Sequence, residues 1–394
     1  MTRTRTLLAV ETHPVQYHAP VYRVLAEKFS VPVTAIYGSD FSVAGYRDAE
    51  FGSTFSWDTD LLDGYRSVFL SRSANGATRN GTPALNMGKA IAEADPSAIL
   101  LLGYSPLFHQ RAFYYAWRSA RPILFRGETT DHARVRGTLK SRARRSALEW
   151  LYGRCSRLLF VGRRSNEHFR SLGCPEEKLI FAPYCVSTAP FQCGEAARVE
   201  LRSAIRRELQ VEESDIVLLF SGKLSSRKGP DLLLNAVKRL DREVRERTVV
   251  VFLGSGAMEE TLKSLAAADP PVRAHFAGFQ NQKQLSPFYH AADLLVLPSR
   301  HSETWGLVVN EALHHGVPCV VSEAVGCAPD LVQPGLTGEI AETGSVESLA
   351  AALHRAVVLV GPSDVRSRCR ERVSGYTVEK AAEGIARAYW DVIR

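Results

Sequence analysis

The chain has 394 residues, enough for two domains whose cores need neither disulfides nor metal. Hydrophobic residues make up 45% and charged residues 23%, which excludes a disordered or fibrous chain, and no apolar run nears the ~20 residues of a membrane-spanning helix. The net charge of +7 suits a polyanionic ligand or an anionic surface.

Near the start, TLLAV is too short for a secretory leader, so a cytoplasmic protein is expected. Short apolar runs then recur at helix-length intervals. In the first half they are 7–10, 31–37, 68–70, 98–102, 122–125, 158–161 and 179–181. In the second half they are 216–220, 249–253, 273–277, 294–297 and 318–321. Most are rich in Val, Ile and Leu without alternation, as strands buried on both faces are. Helical patterns lie between them, so two Rossmann-like α/β domains are expected, with ligands at the carboxyl ends of the strands. The polar stretch 187–212 marks the boundary. The segment 376–394 reads as an amphipathic helix with Ala381, Ile385, Ala388 and Tyr389 on one face. Seven cysteines without a C-x-x-C pattern point to neither a disulfide framework nor a zinc site.

Residues 134–170 hold eleven Arg and Lys against Glu149 and Glu167. Leu139, Ala143, Ala147 and Leu151 offer an apolar stripe on the helix this segment forms. Two readings stand side by side: a solvated basic face, and peripheral contact with an anionic membrane. Nucleic acid is not expected, because no aromatic residues interleave with the charges in a known module.

Two stretches carry chemistry. In SRHSETWGLVVNEALHHGVPCVVS, 299–322, a strand ends in a polar loop with Glu303, and a helix starting near Gly306 carries Glu311. Free backbone amides at that helix start attract phosphate. Carboxylates on either side can accept hydrogen bonds from sugar hydroxyls. In LLFSGKLSSRKGPDLLLNAV, 218–237, a strand leads into a turn with Lys223, Arg227 and Lys228 before Pro230 opens a helix, which suits a diphosphate. Asp58-Thr59-Asp60 lacks the apolar strand that a metal-nucleotide D-x-D needs. Gly254-Ser255-Gly256 fails the dinucleotide pattern, because Glu259 stands at its last position. Asn80-Gly81-Thr82 matches a glycosylation acceptor that a cytoplasmic chain would not use, and His314-His315 reads as ordinary helix.

Taken in order, SGKLSSRKGPDLLLNAV, VVFLGSG, FAGFQNQKQLSPFYHAADLLVLPS, SETWGLVVNEALHHGVPCVVS and PDLVQPGLTGEI resemble the C-terminal domain of family 4 glycosyltransferases. HPVQYHAPVYRVLAE and LIFAPYCVS are similar to that family's first loop-helix and pre-linker strand. The resemblance implies the GT-B fold: two Rossmann-like domains facing across a cleft. Residues 1–190 would form the acceptor domain, 191–212 a linker, 213–375 the nucleotide-sugar domain, and 376–394 a helix crossing back onto the first domain. It implies retaining, metal-independent transfer from a nucleotide sugar to an acceptor the sequence does not name. The donor would be a UDP- or GDP-linked substrate, with no separate cofactor.

By the same resemblance Glu303 sits at the reacting centre, and Lys223 and Lys228 bind the diphosphate. Glu311 holds the ribose, Gly222 and the amides of Gly306, Leu307 and Val308 belong to the donor site, and Phe279 and Gln280 lie against the base. Three departures stand out. Lys223 replaces the usual Arg, the first loop lacks a Gly-Gly pair, and Glu128 stands where many members have His. His13, Gln16, His18, Arg126, Glu128 and His132 are therefore the candidates for the sugar and acceptor side. Bacterial polysaccharide or glycoconjugate synthesis is the implied setting. Glycosylation of a soluble metabolite, epimerisation of a nucleotide sugar, and nucleotide-sugar binding without turnover are the alternatives.

Overall fold

The computed structural model describes residues 5–47, 54–55, 57–72, 86–128 and 138–393. His132 and Asn80 lie outside them. Seven parallel strands form the first sheet: β1 (Leu7–Glu11), β2 (Val33–Tyr37), β3 (Arg66–Phe69), β4 (Ala98–Leu101), β5 (Ile123–Gly127), β6 (Arg157–Phe160) and β7 (Leu179–Phe181). Their order is β3-β2-β1-β4-β5-β6-β7. The second sheet has six parallel strands: β8 (Ile216–Ser221), β9 (Thr248–Leu253), β10 (Arg273–Gly278), β11 (Leu294–Leu297), β12 (Cys319–Ser322) and β13 (Gly338–Ala341). Its order is β10-β9-β8-β11-β12-β13, the same winding as the first six strands of the other sheet. A two-residue antiparallel ladder joins Tyr46–Arg47 to Thr54–Phe55.

The inner strands of both sheets are buried on both faces, which is why they read as continuous apolar runs. Leu7 and Ala9 enter one core layer, and Leu8 and Val10 the layer behind it. Val217 and Leu219 divide from Leu218 and Phe220 in the same way. β13 is absent from the apolar runs because it carries Glu339, whose carboxylate bonds Arg355 at 2.9 Å. It also needs Gly338, since a Cβ there would lie 1.8 Å from the Cys319 carbonyl oxygen on the neighbouring strand.

The stretch 191–212 contains the helix Glu195–Glu208, which packs on Leu285–Ala291 of the second domain. Arg206 is buried there, donating to the Asp293 carboxylate at 2.6 Å. The helix Val378–Ile393 leaves the second domain and packs on the first, against the helix Ala19–Phe29 and β7. Ala381, Ile385, Ala388 and Tyr389 are all buried in that contact. Helix Thr138–Gly153 departs from its sequence reading. Leu148 and Tyr152 face the core, whereas Ala143 and Ala147 are exposed and Leu151 is half-buried.

Candidate active site

The carboxyl ends of both sheets open onto one cavity of about 430 Å³ between the domains. From the second domain its wall takes Lys228, Glu303, Thr304, Trp305, Gly306, Leu307 and Val308. From the first it takes the loop after β1, with Glu11, His13, Tyr17 and His18, together with His109, Glu128 and Tyr184.

Local backbone constraints place the second-domain groups. β8 ends at Ser221, and Gly222, Lys223 and a short 3₁₀ turn, Ser226–Lys228, lead to Pro230 at the start of its helix. Gly229 sits at φ 69° with its α-carbon so close to the next loop that a Cβ would lie 2.5 Å from the Pro298 carbonyl oxygen. This contact packs the Lys228 turn against the Glu303 loop. Lys228 Nζ donates to Glu303 Oε2, Ser299 Oγ donates to the same oxygen at 3.0 Å, and Arg227 Nη1 stands 3.8 Å away. Arg300 fixes the base of the loop by a bidentate pair with Asp231 at 2.8 and 2.6 Å. Gly306 begins the helix Leu307–His314 at φ 101°, where a Cβ would meet Val325 Cγ1 at 2.9 Å. The first turn of that helix faces the cavity, so its unbonded amides add partial positive charge beside Lys228 and Arg227.

Glu311 lies in the same helix but off the cavity wall. Its carboxylate accepts from Tyr289 Oη at 2.7 Å and is hydrogen-bonded by Tyr17 of the first domain. Burial pushes its pKa from 4.5 up to about 7, against the two tyrosine hydrogen bonds. Phe279 and Gln280 sit in the turn after β10, also off the wall, and Gln280 Nε2 is taken by the Ala277 carbonyl at 2.9 Å. Gly222 and Lys223 are not on the wall either. The adjacent Lys283 amide donates to Asp58 Oδ2 at 3.0 Å across the domains. Asp60 Oδ1 accepts the amides of Leu62 and Asp63, so both acids of the D-x-D are engaged in backbone contacts.

On the first-domain side, His18 Nδ1 meets Glu11 Oε2 at 2.8 Å, and Tyr22 Oη donates to Glu11 Oε1. Glu11 is buried at the end of β1. His109 is 8% exposed, and its Nδ1 has no hydrogen-bond partner among the described residues. Burial holds its pKa below the usual imidazole value. Glu128 Oε2 accepts from Thr304 Oγ1 at 2.8 Å, tying the domains at the cavity. His13 pairs with Thr12 Oγ1 at 2.8 Å. Gln16 is buried off the wall, with its Oε1 unpartnered among the described residues. Arg126 is also off the wall, because its guanidinium donates to the carbonyls of Ala182 and Pro183 and lies 4.9 Å from the Tyr184 ring. The sequence reading singled out neither Glu11 nor His109. Neither lies in a motif, and they meet because β1 ends and the helix Leu107–Arg118 begins at the same rim.

Residues 202–372 match the family described as glycosyl transferases group 1. A D-inositol 3-phosphate glycosyltransferase of Geodermatophilus obscurus is 33% identical over 205 residues, 48% of this chain and 43% of that protein. The lipopolysaccharide 1,2-N-acetylglucosaminetransferase of Salmonella typhimurium is 30% identical over 218 residues, 53% of this chain and 56% of that protein. The chain thus spans about half the length of the curated relatives it matches. HepE of Anabaena, solved in complex with UDP, superposes with a TM-score of 0.72 at 16% identity, covering 98% of this chain and 100% of that one. The sucrose-phosphate synthase of Thermosynechococcus elongatus superposes with a TM-score of 0.71 at 16% identity over 98% and 99% of the two chains. The two domains therefore share the GT-B fold of these structures.

Proposed function

We propose that this chain, whose residues 202–372 match the group 1 glycosyl transferases, moves a sugar from a nucleotide sugar to an acceptor hydroxyl with retention of configuration. The observation that carries the reading is the Lys228–Glu303 pair at the start of the helix Leu307–His314, facing Glu128 and His18 across the cavity. In the step proposed, the bond from the anomeric carbon to the diphosphate oxygen breaks. The acceptor oxygen bonds to the same face of that carbon. The acceptor proton passes to the departing diphosphate. Negative charge grows on the diphosphate, and Lys228, Arg227, Lys223 and the amides of Gly306 to Val308 meet it with fixed positive charge, with no metal or separate cofactor in the step. Glu303 stands beside the reacting carbon, where its carboxylate supports developing positive charge on the sugar ring. Glu311 takes the ribose hydroxyls, and the turn at Phe279 and Gln280 takes the base. His18, oriented by Glu11, and Glu128 meet the sugar and the acceptor. Seven free thiols among the described residues fit the reducing interior of a cell. The donor proposed is UDP- or GDP-linked, the UDP-bound HepE structure supporting the first, and a role in polysaccharide or glycoconjugate assembly fits the relatives reported above.

The test is nucleotide binding followed by turnover. Thermal shift with UDP, GDP, ADP, CMP and dTDP should single out one nucleotide. The corresponding nucleotide sugars should then be consumed by wild type, with retention read from the anomeric coupling of the product. Lys228→Ala should bind less tightly and turn over far more slowly. No nucleotide binding at millimolar concentration, or binding untouched by Lys228→Ala, would overturn the reading.

A further inference from the structure

Five of the eight large apolar side chains exposed among the described residues lie on two neighbouring helices of the first domain. Leu107 (58% exposed), Tyr114, Tyr115 and Trp117 (46%) stand on Leu107–Arg118, and Trp150 (48%) on Thr138–Gly153. Trp117 and Trp150 meet edge to face with centroids 6.0 Å apart. The Arg154 guanidinium lies 3.8 Å from the Trp150 ring and 5.6 Å from that of Trp117. Arg118 lies over Tyr114 at 5.8 Å. Arg111, Arg142 and Arg145 are exposed on the same two helices, whose one acid is Glu149, already paired with Arg145 at 2.8 Å. The acids on and just after the adjoining helix Met87–Ala94 are paired as well, Glu93 with Lys89 and Asp95 with Arg121.

We infer that this face is a docking surface for an anionic lipid bilayer. A packed core has no use for two half-exposed tryptophans, and a purely solvated basic helix has no use for them either. Trp and Tyr settle at the headgroup level of a bilayer, and a surplus of arginine is drawn to anionic lipid. Arg154 over the indoles and Arg118 over Tyr114 keep their charge at the same depth as the rings. The patch also lies close to the chemistry. His109, on the cavity wall, precedes Trp117 in the same helix by about 12 Å at 1.5 Å per residue. A docked molecule thus holds its cavity within reach of a hydroxyl carried at the lipid surface. The docking does not depend on the transfer reading.

Co-sedimentation of the full chain with vesicles tests the inference. Vesicles of phosphatidylcholine and phosphatidylglycerol, three parts to one, are compared with phosphatidylcholine alone at low salt. Wild type should bind the anionic vesicles about tenfold or more tightly, and high salt should remove most of that preference. Trp117→Ala/Trp150→Ala and Arg111→Ser/Arg118→Ser/Arg142→Ser should each weaken binding by about tenfold. The arginine variant changes exposed side chains and should keep the wild-type melting temperature, and in both variants the nucleotide-induced thermal shift should stay at its wild-type value. Brominated lipid should quench wild-type tryptophan emission but not that of the double tryptophan variant. No binding at low salt, binding unchanged in both variants, or a dimer in sedimentation velocity that the tryptophan variant dissociates would overturn the inference. The last outcome would assign the face to a second copy of the chain. Loss of nucleotide binding with vesicle binding intact would sink the transfer reading alone.

Discussion

Glu311 is a buried acid whose folded pKa is about 7, against 4.5 for an exposed glutamate. Between those values the folded chain holds a proton that the unfolded chain has released. Stability should therefore fall as pH rises from 4.5 to about 7 and level off above it. Glu311→Gln should remove that slope in urea melts taken at pH 5, 6, 7 and 8. The same ionisation gives nucleotide binding an opposite trend. A ribose hydroxyl donates more strongly to the carboxylate than to the acid, so affinity for the preferred nucleoside diphosphate should rise from pH 6 to pH 8. Glu311→Gln should weaken that affinity by about ten- to a hundredfold and flatten its pH profile, which titration calorimetry reads. Tyr17 holds the carboxylate before any ribose arrives. Tyr17→Phe should accordingly tighten nucleotide binding by up to about tenfold. An affinity lowered by this change would make Tyr17 part of the donor site instead. At the reacting centre, Lys228→Ala should cost about 10²–10³ in kcat, the scale seen when one fixed donor to a developing anion is removed.

At the scale of elements, the helix Val378–Ile393 touches β7 without a spacer. A Cβ on Gly384 would lie 2.0 Å from the Phe181 carbonyl oxygen, a backbone atom that cannot swing aside. Gly384→Ala should lower the melting temperature by about 5 °C, as a loss of about 2 kcal/mol does in a domain of this size. Gly375→Ala, where a Cβ meets nothing within 4 Å, is the control and should stay within about 0.5 kcal/mol of wild type. The elements also differ in how plainly the sequence announces them. β1, β2, β8 and β9 are buried on both faces, so apolar composition alone reveals them. β13 holds its place through Gly338 and a paired Glu339, neither of which is apolar. Thr138–Gly153 misleads because two rows of small and apolar residues run along it. Only packing shows that Leu148 and Tyr152 face inward while Ala143 and Ala147 do not. The site divides on the same principle. Lys228, Glu303 and Gly306 lie in two compact motifs whose loops must touch. Glu11 and His109 are 98 positions apart and share only the rim where a strand ends and a helix begins.

Over the whole molecule, the domains meet through bonds that bracket the cavity. Asp330 accepts the Arg163 amide at 3.0 Å and Tyr376 Oη at 2.8 Å, Arg164 reaches the carbonyls of Glu323 and Val325, and Thr304 donates to Glu128. Burial raises the pKa of Asp330, partly offset by those donors. Asp330→Ala removes the acceptor from both. Small-angle scattering should then record a larger radius of gyration, restored by saturating nucleoside diphosphate if the nucleotide binds the closed form more tightly. An unchanged radius would assign closure to the contacts at Glu128 and Asp58. The returning helix has one more consequence, set by the order of synthesis. Residues 216–341 contain every strand of the second sheet and can pair as soon as they leave the ribosome. The first sheet emerges earlier, yet one of its two core layers lacks Ala381, Ile385 and Tyr389 until the returning helix has been made. The half translated first is thus the half completed last, and a ribosome stalled before residue 378 would display it with an uncovered apolar face.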